Sequence, residues 1–297
     1  MKYKMESGNI VTQIKDKYIC NINHSAGFFS NCTVSLVSLI ESIAYFKNTN
    51  VELDTTNTFN LYKNAEKNGD IYLEYFKKVD STEKVDIIYE KGIKVESGMA
   101  LLPYKTLMFK NLNTYINNYF NESDQITNII SMMEKKYKID YENTCCVFFR
   151  GLDKFVETGI PGYDIFCNKA KEVTNKGNNI KFLLQSDETE FFDYAKNIFT
   201  NHLIFNDEIR HMKHSKTILE YSLTKNDNFK YSLYFLAIVI IMSRCKYVIC
   251  NTSNVSLWIS LFRGNTNNLH QYLRQIPKFH GVQANPLYNS SVKDVWY

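Results

Sequence analysis

No unbroken apolar run in this 297-residue sequence is long enough to cross a bilayer. The longest apolar run, Leu233–Met242, is about half of the roughly 20 residues that a membrane helix needs, and it reads as a buried core segment. Met1–Lys17 is polar and charged and lacks the apolar centre of a secretion signal. The seven cysteines show no zinc-like spacing, and Cys145 and Cys146 sit side by side in an apolar run, as buried thiols do. The histidines His24, His202, His211, His214, His270 and His280 form no Cys/His cluster, and no HxxxH or DxD pair occurs, so no metal site is expected. Also missing are the GxGxxG, P-loop and GxSxG motifs, which counts against dehydrogenases, P-loop kinases and α/β-hydrolases. Lys and Arg total 35 against 31 Asp and Glu, a net charge of +4. The basic residues alternate with acids instead of forming the stripe that nucleic acid selects. These absences lead us to expect a cytoplasmic, globular protein with no membrane span and no nucleic-acid partner.

What is present suits a large core or two modest ones, with 44% hydrophobic and 14% aromatic residues. Tyr18–Ile22 reads as a strand, His24–Asn31 as a loop of small residues, Cys32–Phe46 as an amphipathic helix with Asn31 as its N-cap, and Val51–Asp54 as a second strand. Strand, loop, helix and strand make a βαβ unit with parallel pairing. The middle is less regular: Ile87–Tyr89 and Leu101–Leu102 read as short strands and Tyr115–Lys138 as a helix. Beyond it the alternation is plain. Thr144–Phe149, Ile180–Leu184, Leu203–Phe205 and Tyr247–Cys250 read as strands. Tyr163–Val173, Thr189–Phe199, Tyr231–Arg244 and Val255–Phe262 read as helices, the last ending at Gly264 as its C′ residue. This pattern predicts an α/β chain of two Rossmann-like, doubly wound domains, 1–140 and 141–297.

In open α/β sheets, ligands bind beyond the carboxyl ends of the strands. Four strand exits carry polar or small residues: His24–Asn31, Arg150–Lys154, Ser186–Glu188 and Asn251–Ser256. Arg150 directly follows a buried strand, where an unpaired charge is costly. It fits either a salt bridge at the strand end or bidentate recognition of a diphosphate, with Gly151 allowing close backbone approach. Asp187 or Ser186 fits a helix N-cap as well as a ligand contact. Asn251-Thr252-Ser253-Asn254 fits a capping loop as well as a phosphate cradle. Asp207–His211 reads as a solvated charged turn.

Three of these stretches, in order and at their spacing, resemble the α1,6-, α1,2- and protein O-fucosyltransferase superfamily. Arg150-Gly151-Leu152-Asp153-Lys154, with Glu157 beyond, is similar to its Arg-Arg-x-Asp-Lys signature. Phe182–Glu188 resembles its strand followed by Thr-Asp-Asp, and Cys245–Asn254 its late Asp-x-x-Val-x-x-x-x-Ser-Ser motif. Gly27-Phe28-Phe29-Ser30-Asn31 stands where the family has a glycine-rich first loop. The chain also resembles glycosyltransferase-like proteins of large DNA viruses. Gly151 replaces the second arginine, and Phe148 stands where the family has a histidine. The resemblance implies a GT-B fold with the donor cleft between its two domains, the second binding the nucleotide. It implies inverting, metal-independent transfer from a GDP-linked, fucose-like sugar to a glycan or polypeptide acceptor, without a cofactor. In that picture Arg150 and Lys154 stabilise the leaving diphosphate and Asp153 orients them. Glu157 or His24 is the base. Gly27, Phe28, Gly151, Ser186, Asp187, Asn251, Thr252, Ser253 and Asn254 line the donor. A UDP- or dTDP-sugar donor, or a non-catalytic glycan-binding protein of the same fold, are the alternatives.

Overall fold

The computed structural model describes residues 1–5, 8–64, 66–77, 97–152, 154, 158–174, 179–209, 211, 213, 225–273 and 295–297. Asp153, Glu157 and the Ile87–Tyr89 segment lie outside the described residues. The chain forms two compact units. One comprises Met1–Met99, Met108–Ser131 and Leu223–Ala237, and the other Ala100–Leu107, Met132–Ser222 and Ile238–Tyr297, so the division is not a single cut.

The first unit is built on a four-stranded sheet in the order β1-β2-β3-β4: β1 (Lys2–Lys4), β2 (Ile10–Ile14), β3 (Lys17–His24) and β4 (Val51–Thr58). β1, β2 and β3 pair antiparallel, while β3 and β4 pair parallel across the helix α1 (Phe28–Phe46). The expected βαβ unit is therefore present, extended by a hairpin the sequence reading left out. That hairpin turns through Lys15 and Asp16 without glycine, Lys15 taking φ 57°. α1 begins three residues before the expected Asn31 cap, with Gly27 as N-cap. Asn31 lies inside the first turn, fully buried, and its Nδ2 donates to the Ala26 carbonyl at 3.1 Å. By length and composition α1 could cross a membrane, yet most of it is buried in this protein. Its buried hydroxyls are satisfied within the helix: Thr33 bonds Phe29 O, Ser35 bonds Asn31 O and Ser42 bonds Ser38 O. The expected Tyr115–Lys138 helix is two helices, α3 (Phe109–Tyr119) and α4 (Asp124–Tyr137). They are separated because the Ser123 N–H leaves the helical ladder and donates to Tyr75 O at 2.9 Å. Tyr75 belongs to the short helix α2 (Tyr72–Tyr75). Leu101 closes a 3₁₀ segment, Ser97–Leu101, and is not in a strand.

The second unit holds a six-stranded sheet in the order β10-β9-β8-β5-β6-β7. Its strands are β5 (Thr144–Phe149), β6 (Lys181–Ser186), β7 (His202–Leu203), β8 (Tyr247–Asn251), β9 (Leu269–Leu273) and β10 (Val295–Trp296). β5 to β9 are parallel and β10 closes the edge antiparallel to β9. All six residues of β5 are buried, which is why this strand reads as one apolar run. Helices α5 (Tyr163–Thr174), α6 (Thr189–Ile198) and α8 (Asn254–Arg263) alternate with the strands, and α7 (Lys225–Arg244) precedes β8. Gly264 ends α8 at φ 72°, the left-handed C-cap its sequence predicts. One part of the core gathers Phe149, Phe166, Leu184, Phe191 and Ile249. Strand order reverses at β5, with β6 and β7 on one side and β8 and β9 on the other. The switch point therefore lies between the carboxyl ends of β5 and β8.

Candidate functional site

The chain leaves β5 at Phe149, whose ring stacks on Phe191 at 4.9 Å and meets Phe166 edge-on at 5.4 Å. This packing fixes the root of the next residue, Arg150. From β8, Asn251 Oδ1 accepts the Arg150 N–H and Asn251 Nδ2 donates to the Arg150 carbonyl, both at 2.7 Å. From the end of β6, the Asp187 carboxylate pairs with the Arg150 guanidinium and accepts the Gly151 N–H at 2.8 Å. The guanidinium also donates to Gly151 O at 3.0 Å. The Arg150 side chain keeps 18% of its surface open, against 8% for Asp187. Two charges this far from water need each other's company, and charge-assisted bonds of this kind are the strong ones.

The loop after Arg150 is anchored by Glu188, which is 1% exposed. Its carboxylate accepts the Leu152 N–H at 2.5 Å and the Tyr163 hydroxyl at 2.7 Å. Burial, then the carboxylate itself, pushes the Tyr163 pKa up, so the phenol stays a donor. A Cβ at Gly151 would collide with the Glu188 carboxylate as it stands, so any larger residue must displace it. Leu152 holds φ 42°, a region few non-glycine residues adopt. Lys154 is buried at 4% exposure, its N–H donating to Gly151 O at 2.9 Å. Ser186 Oγ accepts the Glu188 N–H at 3.0 Å. Arg150, Asp187 and Glu188 thus cluster at the carboxyl edge of the sheet, with Lys154 buried one turn beyond on the same loop.

At the exit of β8 the polar groups face inward. Ser253 caps α8, its Oγ accepting the Ser256 N–H at 3.0 Å. The Tyr104 hydroxyl accepts the Ser253 N–H at 3.1 Å and donates to Ser253 O at 2.9 Å. The Thr252 N–H donates to Tyr272 O at 3.1 Å, and Thr252 Oγ1 accepts from Gln271 Nε2 at 2.9 Å. Asn251, Thr252 and Ser253 are buried, while Asn254, the first residue of α8, is half-buried. The Thr252, Ser253 and Ser256 amides are therefore bonded within the protein. Sequence reading missed Glu188 as an anchor, and also Tyr163, Tyr104 and Gln271. Glu188 stood next to a predicted site residue. Tyr104 sits 149 residues from Ser253 and left no local signal.

In the first unit, His24 Nε2 lies 3.0 Å from Ser30 Oγ, and burial lowers the His24 pKa from its ordinary value. Gly27 caps α1. Phe28 is 1% exposed and packs edge-on against Phe29 at 5.1 Å and Tyr75 at 4.8 Å, so its ring is core. The expected solvated turn at Asp207–His211 is corrected by Glu208. This residue is buried, accepting from Lys136 Nζ and the Tyr137 hydroxyl at 2.7 Å each. Arg210 lies outside the described residues. Burial pushes the Cys250 thiol up to about 12, and Cys145 and Cys146 upward as well, which removes them as nucleophiles. Among the described residues, no group of three or more His, Cys, Asp and Glu is placed to hold a metal ion.

No protein-family model and no curated protein matches the chain. Solved structures do match. An α-1,6-fucosyltransferase NodZ soaked with GDP-fucose superposes with a TM-score of 0.52 at 10% identity, covering 86% of this chain and 93% of that one. The fucosyltransferase NodZ from Bradyrhizobium superposes at 0.50, again at 10% identity, over 86% and 94% of the two chains. At this identity the likeness is one of fold: the chain has a mixed α/β, GT-B-like fold of the fucosyltransferase kind.

Proposed function

We propose that this protein is a glycosyltransferase that moves a fucose-like sugar from a GDP-linked donor to a hydroxyl of a glycan or polypeptide, with inversion and without a metal or cofactor. The observation that carries the reading is Arg150. It stands at the switch point of the parallel sheet, with its main chain held by Asn251 and its guanidinium by Asp187. In this reading, departure of the nucleoside diphosphate builds negative charge on the β-phosphate as the sugar becomes oxocarbenium-like. Arg150 and Lys154 stabilise that charge, and because Asp187 and Asn251 already hold Arg150, little of its reorganisation is needed as the charge develops. Asp153 orients the two cations. Gly151, Ser186, Asp187, Thr252, Ser253 and Asn254 shape the donor side, and the backbone of Gly27 and Phe28 opens α1. Glu157 takes the proton of the acceptor hydroxyl, with His24 as the second candidate. Burial keeps His24 neutral near pH 7, the form that accepts a proton. Residues before Tyr141 supply most acceptor contacts, and the reaction runs in the cytoplasm.

The test is a thermal-shift screen of wild type and Arg150→Ala against GDP, UDP, dTDP, CDP and NAD without added metal, since a ligand of the folded state raises its melting temperature. A shift with GDP, lost in the variant, is the expected result. A shift with UDP or dTDP alone keeps the transferase and changes its donor, an outcome to which Phe148 at the family's histidine position lends weight. No shift with any nucleotide overturns the donor-binding reading and favours a glycan-binding protein of this fold.

A further inference from the structure

The Asn251 side chain makes two hydrogen bonds to one residue 101 positions away in sequence, and that residue is Arg150. Asn251 is wholly buried. A carboxamide is planar and carries one acceptor and one donor edge, as a peptide unit does. The β5–β8 ladder has its last registered pair at Phe148 and Cys250, and the Asn251 amide adds one further rung just beyond it. That rung takes both main-chain polar groups of Arg150. The Ser256 hydroxyl holds the Asn251 carbonyl at 2.5 Å, so the strand end bearing the amide is itself tied to α8.

We propose that Asn251 is a positioning residue for Arg150. By occupying the Arg150 N–H and C=O together it fixes the direction of the Cα–Cβ bond, while Asp187 fixes the guanidinium at the far end. The side chain is then held at both ends and points its charge without a search. Asn251 acts through Arg150 and not by contact with the donor. The inference rests on the reading of Arg150 as the group that meets the diphosphate.

Asn251→Asp separates this role from bulk stability. An ionised aspartate has no donor for the Arg150 carbonyl, whereas a protonated one is a hydrogen-bond isostere of asparagine. Burial raises the pKa of such a carboxyl. Two readouts are taken at pH ~8 and pH ~5.5, each against wild type at the same pH: GDP affinity by calorimetry, and hydrogen-exchange protection of the Arg150 amide. The expected result is an affinity loss of about tenfold at the higher pH that recovers at the lower pH, while the Arg150 amide, whose acceptor survives as a carboxylate oxygen, keeps its protection at both. Asn251→Ala loses both at either pH. Wild-type affinity in Asn251→Asp and Asn251→Ala, or a defect equal at the two pH values, overturns the proposal. If Asn251→Asp does not fold at the higher pH, Asn251→Ser carries the test. It keeps a hydroxyl for one of the two bonds, so partial loss in both readouts supports the proposal and wild-type values overturn it. If the wild type binds no GDP, the functional reading fails by itself, and the Arg150 amide still decides whether the clamp exists.

Discussion

The two edges of the six-stranded sheet each hold a well-bonded arginine, and the two are held differently. At the amino edge, Arg263 of α8 makes five hydrogen bonds to backbone carbonyls: Ser243 and Cys245 through one terminal nitrogen, Lys246 and Asn267 through the other, and Asn267 again through Nε. It binds the end of α7, the start of β8 and the turn before β9 into one knot. At the carboxyl edge, Arg150 pairs with a carboxylate and is itself gripped through its main chain. Carbonyls are neutral acceptors that hold a guanidinium where the chain needs a staple. An ion pair at a switch point, in the reading proposed above, holds one for a ligand. Burial explains both arginines equally well; the nature of the partners tells them apart.

The largest expected effect comes from Arg150→Ala. Loss of a preorganised charge-stabilising group costs about 10²–10³-fold in turnover, which a transfer assay at saturating donor reads directly. Turnover unchanged in a folded variant removes the distinction between the edges. Arg263→Ala is its mirror. Four carbonyls lose their donor, and unsatisfied buried groups cost about 1–3 kcal/mol each before solvent returns. A net loss of about 3 kcal/mol lowers the melting temperature by roughly 6–12 °C for a unit of this size, while nucleotide affinity per folded molecule stays at the wild-type value. A drop in affinity without a drop in melting temperature inverts the comparison.

Gly151→Ala sharpens it further. The new methyl displaces the Glu188 carboxylate from the Leu152 N–H and the Tyr163 hydroxyl. We expect about 1–3 kcal/mol of destabilisation from overpacking, measured by urea unfolding, together with reduced turnover, because the loop that carries Arg150 shifts. Wild-type stability and turnover would show that Glu188 moves aside freely.

The smallest effect is with pH. It comes from histidines. Burial lowers the pKa of His24 and His270 below the ordinary 6.5, Lys169 adding to the effect at His270. The unfolded chain therefore binds more protons than the native one just below pH 6.5. Stability is complete above that value and declines as pH falls toward the lowered native pKa values. His24→Gln and His270→Gln each flatten the slope of urea stability against pH in this window; an unchanged slope assigns the acid sensitivity elsewhere.

Much of the second unit was legible in sequence because a parallel sheet buries both faces of its strands. Thr144–Phe149 reads as a strand for that reason, and α8 ends where Gly264 supplies the left-handed residue. The hairpin of β2 and β3 was not legible, since Ile10 and Ile14 are exposed and no glycine or asparagine marks its turn at Lys15 and Asp16. β9 was missed because His270 and Gln271 break its apolar pattern, yet Gln271 is buried by bonding Tyr104, Leu102 and Thr252. Glu208 read as solvated because its partners, Lys136 and Tyr137, lie 72 and 71 residues away.

By itself the sequence determined where buried strands alternate with helices and which strand exits carry polar residues, because both are local consequences of burial and chain period. Only the tertiary structure decided which exits meet. The order β8-β5-β6 sets Arg150 between Asp187, 37 residues away, and Asn251, 101 residues away. Strand order places these side chains beside one another, and hydrogen bonds between strands depend on that order and not on distance along the chain.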